Sequence, residues 1–120
     1  MCRRVLIVDD NSAFRAAARQ LLERAGFAVV PEAGDGVGGL RGAKEHTPDL
    51  VIVDVQLPDL DGFELAEHLR ALEPAPQVIL TSSLDGTDFG ALVTGSSALG
   101  FIPKAELSAR AIEALLAPSG

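Results

Sequence analysis

Apolar positions along this chain fall into two alternating patterns. Short runs with no polar interruption, Val5 to Val8, Leu50 to Val53 and Val78 to Leu80, alternate with stretches where apolar residues recur three or four apart. The first pattern predicts strands buried on both faces and the second predicts amphipathic helices. Val5 to Val8 leads into a helix in which Phe14, Ala18, Leu21, Leu22 and Ala25 form the inward stripe, with Gly26 as its stop. "FAVVPEA" reads as a second strand, placed at an edge by Pro31 and its charged tail. "GDGVGGLRGAKEHTP" predicts a weak second helix, since Gly38, Gly39 and Gly42 each cost about 1 kcal/mol against Ala.

The third strand is Leu50 to Asp54. Asp61 and Glu64 then form a capping box for a third helix with Phe63, Leu65, Leu69 and Leu72 as its buried stripe. "QVILTSS" is the fourth strand, and "GTDFGALVTGSS" a weak fourth helix interrupted by Gly90 and Gly95. "GFIPK" is a short fifth strand. "AELSARAIEALLAP" is the fifth helix, with Leu107, Ala111 and Leu115 inward and a Glu106–Arg110 pair outside. Strands and helices in strict alternation predict an α/β fold, a parallel five-stranded sheet with helices on both faces. No linker, repeat or low-complexity segment divides residues 1–120, so one domain is expected.

Composition narrows the function. With 48% hydrophobic residues a packed core is expected, and a net charge of −7 disfavours a nucleic-acid face. The single cysteine, Cys2, excludes an internal disulfide framework. No apolar run approaches a membrane span and no signal peptide is recognisable, so a cytoplasmic protein is expected. His46 and His68 stand alone, without partners at metal-ligand spacing.

Asp54 is the anomaly, a carboxylate at the end of an apolar strand. Unpartnered burial would cost it several kcal/mol or neutralise it. Parallel α/β sheets collect their sites outside the carboxyl ends of the strands. Those ends carry Asp9 and Asp10, Asp54, Thr81 and Lys104. Three carboxylates gathered there call for a cation, and a partly open oxygen set suits Mg²⁺, with Mn²⁺ as a substitute. Each residue also has an ordinary reading. Asp9 to Ser12 can be a turn and helix cap, Thr81 a strand residue, Lys104 an exposed lysine, Phe101 core, and Pro58 with Gly62 a turn.

The segments "VLIVDDN", "PDLVIVDVQLPDLDGFEL", "VILTSS" and "GFIPK" resemble, in order and spacing, the signature segments of response-regulator receiver domains of two-component signalling. The resemblance implies a flavodoxin-like (βα)5 fold with strand order 2-1-3-4-5. It implies Asp54 as phosphoacceptor, and Asp10, Asp54 and the backbone carbonyl of Gln56 as Mg²⁺ ligands, with Asp9 acting through water. It further implies Lys104 and Thr81 as partners of the phosphoryl group, Phe101 as the aromatic that moves with Thr81, and no enzymatic activity beyond self-directed phosphoryl transfer and autodephosphorylation. The implied partners are a histidine kinase or histidine phosphotransfer protein, and a downstream protein or second copy at the face of the fourth helix, fifth strand and fifth helix. The family's usual proline after the lysine is replaced by Ala105. The chain's end near the fifth helix is similar to stand-alone members.

Three other readings compete. A haloacid-dehalogenase-like phosphatase requires a second Asp where Gln56 stands. A flavodoxin-like nucleotide or flavin binder requires a Gly/Ser/Thr phosphate loop, and Asp9 and Asp10 would repel a phosphate there. A receiver-like interaction domain working without phosphorylation would have no use for the complete acidic set.

Overall fold

The uninterrupted apolar runs lie where both sheet faces are covered. The structure, a computed structural model, describes residues 3–83 and 98–116. Strands β1 (Arg4–Val8), β2 (Ala28–Val29), β3 (Leu50–Asp54), β4 (Gln77–Ser82) and β5 (Gly100–Pro103) form one parallel sheet in the order β2-β1-β3-β4-β5. Helices α1 (Ser12–Arg24), α2 (Gly36–His46), α3 (Gly62–Arg70) and α4 (Ala109–Leu116) pack on it. The predicted fourth helix, Thr87 to Ser97, lies outside the described residues, so the expected fifth helix is α4 here.

Alternate residues of each strand feed different cores. Leu6, Val8, Val51, Val53, Val78 and Leu80 pack with Leu65, Ala66 and Leu69 of α3 and Ala43 of α2. Val5, Ile7, Leu50, Ile52 and Ile79 pack with Ala18 and Leu22 of α1 and Ile112 of α4. A strand with apolar neighbours on both sides has no polar face to display, hence the unbroken runs.

Several element boundaries differ from expectation. β2 is only two residues long, because the register shifts after the Val30 N–H bond to Val5 O: the next donor to β1 is Ala33, bonded to Ile7 O, where Glu32 would be in step. Pairing resumes at Ala33, which bridges Val8. Ala25, expected inward, is the exposed C-cap of α1, followed by Gly26 at φ 96. The last helix begins later than predicted. Lys104–Glu106 form a 3-10 turn, Ser108 Oγ accepts the Ala111 N–H at 3.0 Å, and Ile112 is the fully buried residue. Glu106 therefore precedes the helix, and the helical Glu106–Arg110 pairing does not apply. The Lys104–Ala105 peptide is trans; the cis bond among the described residues is Glu73–Pro74.

The glycines of α2 have a packing reason. A Cβ at Gly39 would lie 2.8 Å from Val8 Cγ2, and one at Gly36 would lie 2.6 Å from Leu60 Cγ. Helical propensity is given up so that the helix backbone can approach strand and loop. No described helix is long and apolar enough to cross a membrane.

Candidate functional site

Register brings the polar strand ends together. Val8 is paired with Val53 and Asp54 with Thr81, so Asp9, Asp54 and Thr81 emerge side by side at the carboxyl edge of the sheet. Thr81 is paired with Ile102, which brings Lys104, just beyond β5, to the same edge. The apolar strands leave Asp9 and Asp54 buried, whereas Asp10, one residue into the loop, is exposed. One carboxylate oxygen from each of Asp9, Asp10 and Asp54 lies within 4.8 Å of the others.

The Lys104 ammonium stands among these charges. Its Nζ is 2.7 Å from Asp9 Oδ2 and 3.2 Å from Asp54 Oδ2, and 4.6 Å above the centre of the Phe14 ring. Burial pulls the Lys104 pKa down, but the contacts with Asp9 and then Asp54 outweigh it and the net shift is upward. Asp54 is raised, first by burial and then by the charge of Asp9, against the opposing pull of the Gln56 N–H and Lys104. Two buried carboxylates therefore share one ammonium.

Asp9 is held from several directions. Its N–H donates to Ala33 O at 3.0 Å, and its Oδ1 accepts the Asn11 N–H at 2.8 Å. Asp9 Oδ2 is buried, and the Lys104 ammonium at 2.7 Å is its charge partner. Three carboxylates so close together, with one ammonium beside two of them, are a donor set that a hard cation with carboxylate and water ligands would take. The donor set fits Mg²⁺.

The loop after β3 completes the edge. Gln56 N–H donates to Asp54 Oδ1 at 3.0 Å, and Gln56 bridges Asp61. Gly62 N–H donates to Val55 O at 2.9 Å, and a Cβ on Gly62 would lie 2.5 Å from the Asp54 carbonyl oxygen. Only glycine lets α3 begin so close to the Asp54 backbone. Thr81 is fully buried, its hydroxyl 3.5 Å from Val53 O, a long contact that leaves the group weakly committed. Phe101 of β5 is half-buried against the core that holds Leu80 and Val53.

Sequence reasoning therefore assembled Asp9, Asp10, Asp54, Thr81 and Lys104 at one edge, and it missed their supports. Arg15 Nη1 donates to Asp9 O at 2.5 Å, while Arg15 Nε and Arg19 Nε bind the two oxygens of Glu32 at 3.1 and 2.6 Å. Asn11 caps α1 by accepting the Phe14 N–H at 3.1 Å. An arginine one turn into the helix after an acidic pair was the available signal for Arg15; Phe14 gave none beyond its place in the helix stripe.

A profile of the response regulator receiver domain matches residues 5–116. The chain is 31% identical to the chemotaxis protein CheY of Bacillus subtilis, over 96% of both chains. It is 37% identical to the virulence-factor regulator BvgA of Bordetella pertussis, over 88% of this chain. It spans about half of BvgA's length, 51%. The crystal structure of a LuxR-family two-component response regulator from Aurantimonas sp. superposes with a TM-score of 0.85 at 35% identity, covering 97% of this chain and 86% of that one.

Proposed function

This chain belongs to the response regulator receiver domain family, and from that premise we propose that it is a phosphoacceptor, Mg²⁺-dependent and modified on Asp54. The observation that carries the proposal is the buried Asp54 carboxylate between Lys104 at 3.2 Å and the acidic cluster of Asp9 and Asp10. The phosphoryl donor is a phosphohistidine of a histidine kinase or phosphotransfer protein. An Asp54 oxygen attacks phosphorus, the donor's P–N bond breaks, and the new O–P bond leaves an acyl phosphate on β3.

Attack of a carboxylate on a phosphoryl group brings anion to anion, so charge must be neutralised in advance. Asp10, Asp54 and the Gln56 carbonyl would hold Mg²⁺, with Asp9 acting through water, and the ion would supply that neutralisation. Lys104 needs only a small displacement from Asp54 Oδ2 to pair with a phosphoryl oxygen. The weakly committed Thr81 hydroxyl is the neutral donor, and its movement opens space for Phe101. The added dianion draws Thr81 and Lys104 together and biases the face of the fourth helix, β5 and α4 toward a downstream protein or a second copy. We place the protein in the cytoplasm, without direct nucleic-acid contact and with no enzymatic activity beyond its own phosphorylation and dephosphorylation.

Intact-protein mass spectrometry after incubation with acetyl phosphate tests the assignment. One phosphoryl adduct is expected, dependent on Mg²⁺ and absent from Asp54→Asn. An adduct undiminished in that folded variant would remove Asp54 as the acceptor.

A further inference from the structure

The loop from Val55 to Asp61 does more than follow the acceptor strand. Asp61 at its end caps α3, accepting the Glu64 N–H at 2.8 Å. Asp59 at its tip reaches a different helix. Its Oδ1 accepts the Gly36 N–H at 2.8 Å and its Oδ2 accepts the Val37 N–H at 2.9 Å, so both oxygens serve the first turn of α2. Oδ1 also accepts the Leu60 N–H at 2.9 Å, which fixes the carboxylate against its own loop. These backbone bonds from Gly36 and Val37 lower the Asp59 pKa.

A steric seat accompanies the ionic one, since Leu60 fills the space where a Gly36 side chain would stand. At its other end the loop is anchored beside Asp54 by the Gln56 N–H and by the Val55–Gly62 hydrogen bond. The α2 end does not depend on Asp59 alone for capping. Asp35, the N-cap residue, accepts the Gly38 N–H at 2.7 Å. Two carboxylates thus serve one helix start, and only one of them belongs to the loop that carries Gln56.

We propose that Asp59 is a positioning residue that fixes the Gln56 segment against α2, so that cation binding at the acidic cluster and the first turn of α2 are coupled. This rests on the reading of the cluster as a cation site. A charged acceptor bound to two N–H groups of a helix start resists displacement, because the helix end favours negative charge and its amides have no other partner. The loop between Asp59 and Asp54 is short and held at both ends. Its backbone therefore cannot shift toward a cation without loading the Asp59 contacts, and loosening those contacts lets the Gln56 carbonyl wander.

Asp35 supplies an internal control, because Asp35→Ala weakens the same helix start without touching the loop. Mg²⁺ titration followed by backbone amide NMR compares wild type, Asp59→Ala, Asp59→Asn and Asp35→Ala, with thermal unfolding of each alongside. In the wild type the amides of Gly36 and Val37 should shift on cation binding together with those of Asp10 and Gln56. Asp59→Ala should weaken Mg²⁺ roughly tenfold, the lower end for groups that orient metal ligands. Asp59→Asn, close in shape and still an acceptor for one amide, should fall between and covers the case in which the alanine variant does not fold. Asp35→Ala should lower thermal stability yet leave the affinity at the wild-type value. Equal affinities in wild type and both Asp59 variants, or equal losses in Asp35→Ala and Asp59→Ala, overturn the inference while the cation site stands. A wild type whose Asp10 and Gln56 amides ignore Mg²⁺ overturns the cation site and the inference together.

Discussion

Asp10 and Asp54 show how different burial divides the work of adjacent carboxylates. Asp54 is buried and its pKa raised, so the folded state holds the Asp54 proton more tightly than the unfolded chain does. Its ionisation therefore subtracts stability as pH rises above the ordinary value of 3.8, and that deficit is absent at lower pH. A cation held at the cluster, as proposed, would offset the deficit by binding the folded state. Asp10 is exposed and needs no partner for its own sake, so under the same proposal its charge would be available to the ion. Asp10→Asn should weaken Mg²⁺ by roughly tenfold or more, about 1.4 kcal/mol upward, while the unfolding temperature without cation stays level or rises through relief of like-charge repulsion. Calorimetric Mg²⁺ titration and thermal unfolding in chelator check this; unchanged affinity would take Asp10 out of the ligand set. At this scale the sequence pointed to the groups that the structure gathers at one edge, because acids at strand ends break an apolar pattern. Their supports stayed hidden because they act through the backbone. Asp59 carried no signal of its own and Gly62 looked like turn punctuation, yet one caps a distant helix and the other leaves no room for a Cβ beside the Asp54 carbonyl oxygen.

Among elements, the tie between α1 and the tail of β2 is the clearest case of order imposed from outside the hydrophobic pattern. Glu32 bridges Arg15 and Arg19, and Arg19 Nη2 also donates to Val30 O at 3.2 Å. This clamp holds the segment between Val30 and Ala33, where the register to β1 shifts. Its charges were visible in the sequence, but pairing across 13 and 17 positions depends on the parallel crossover that brings α1 beside β2. The same limit explains α2, where Gly39 looks like weakness along the sequence and proves to be a point of close approach to β1. The Glu32 pKa is lowered, chiefly by the Arg19 hydrogen bond against the counteracting effect of burial, with Arg15 adding to it. A lowered carboxylate stabilises the fold above its unfolded value of 4.5, and that contribution is lost as pH falls through the lower folded value. Glu32→Gln should therefore destabilise by about 1 kcal/mol at neutral pH, a figure kept small by partial solvent screening. The difference from wild type should shrink toward zero under acid conditions. Urea unfolding at both pH values measures it, and a difference that does not vary with pH would mean the clamp works by packing rather than charge.

For the whole molecule, alternation of strand and helix was enough to give a parallel sheet covered on both faces, and strand order 2-1-3-4-5 came with the family resemblance. What pattern alone does not supply is which surface answers when Asp54 changes charge. On the proposed function Thr81 and Phe101 would be the links, since Thr81 pairs with Asp54 across β3 and β4 while Phe101 pairs with Leu80 across β4 and β5. A rearrangement there would, on the same proposal, pass toward β5 and the segment joining it to β4. That segment holds Gly90, Gly95, Ser96 and Ser97, with Phe89, Leu92 and Val93 as its apolar anchors. Each glycine removes about 1 kcal/mol of helix preference against alanine, and serines offer the backbone competing hydrogen bonds. The proposal therefore expects a few kcal/mol of phosphoryl contacts to act there first. Hydrogen exchange with and without beryllofluoride, a phosphoryl mimic, should show its largest change between Thr87 and Ser97, a smaller one through β5 and α4, and little in α1. The first turn of α2 should respond only as far as Asp59 transmits cation binding, and that response should appear with Mg²⁺ alone. If α2 answers beryllofluoride while Thr87 to Ser97 does not, the output face belongs on the opposite edge of the sheet.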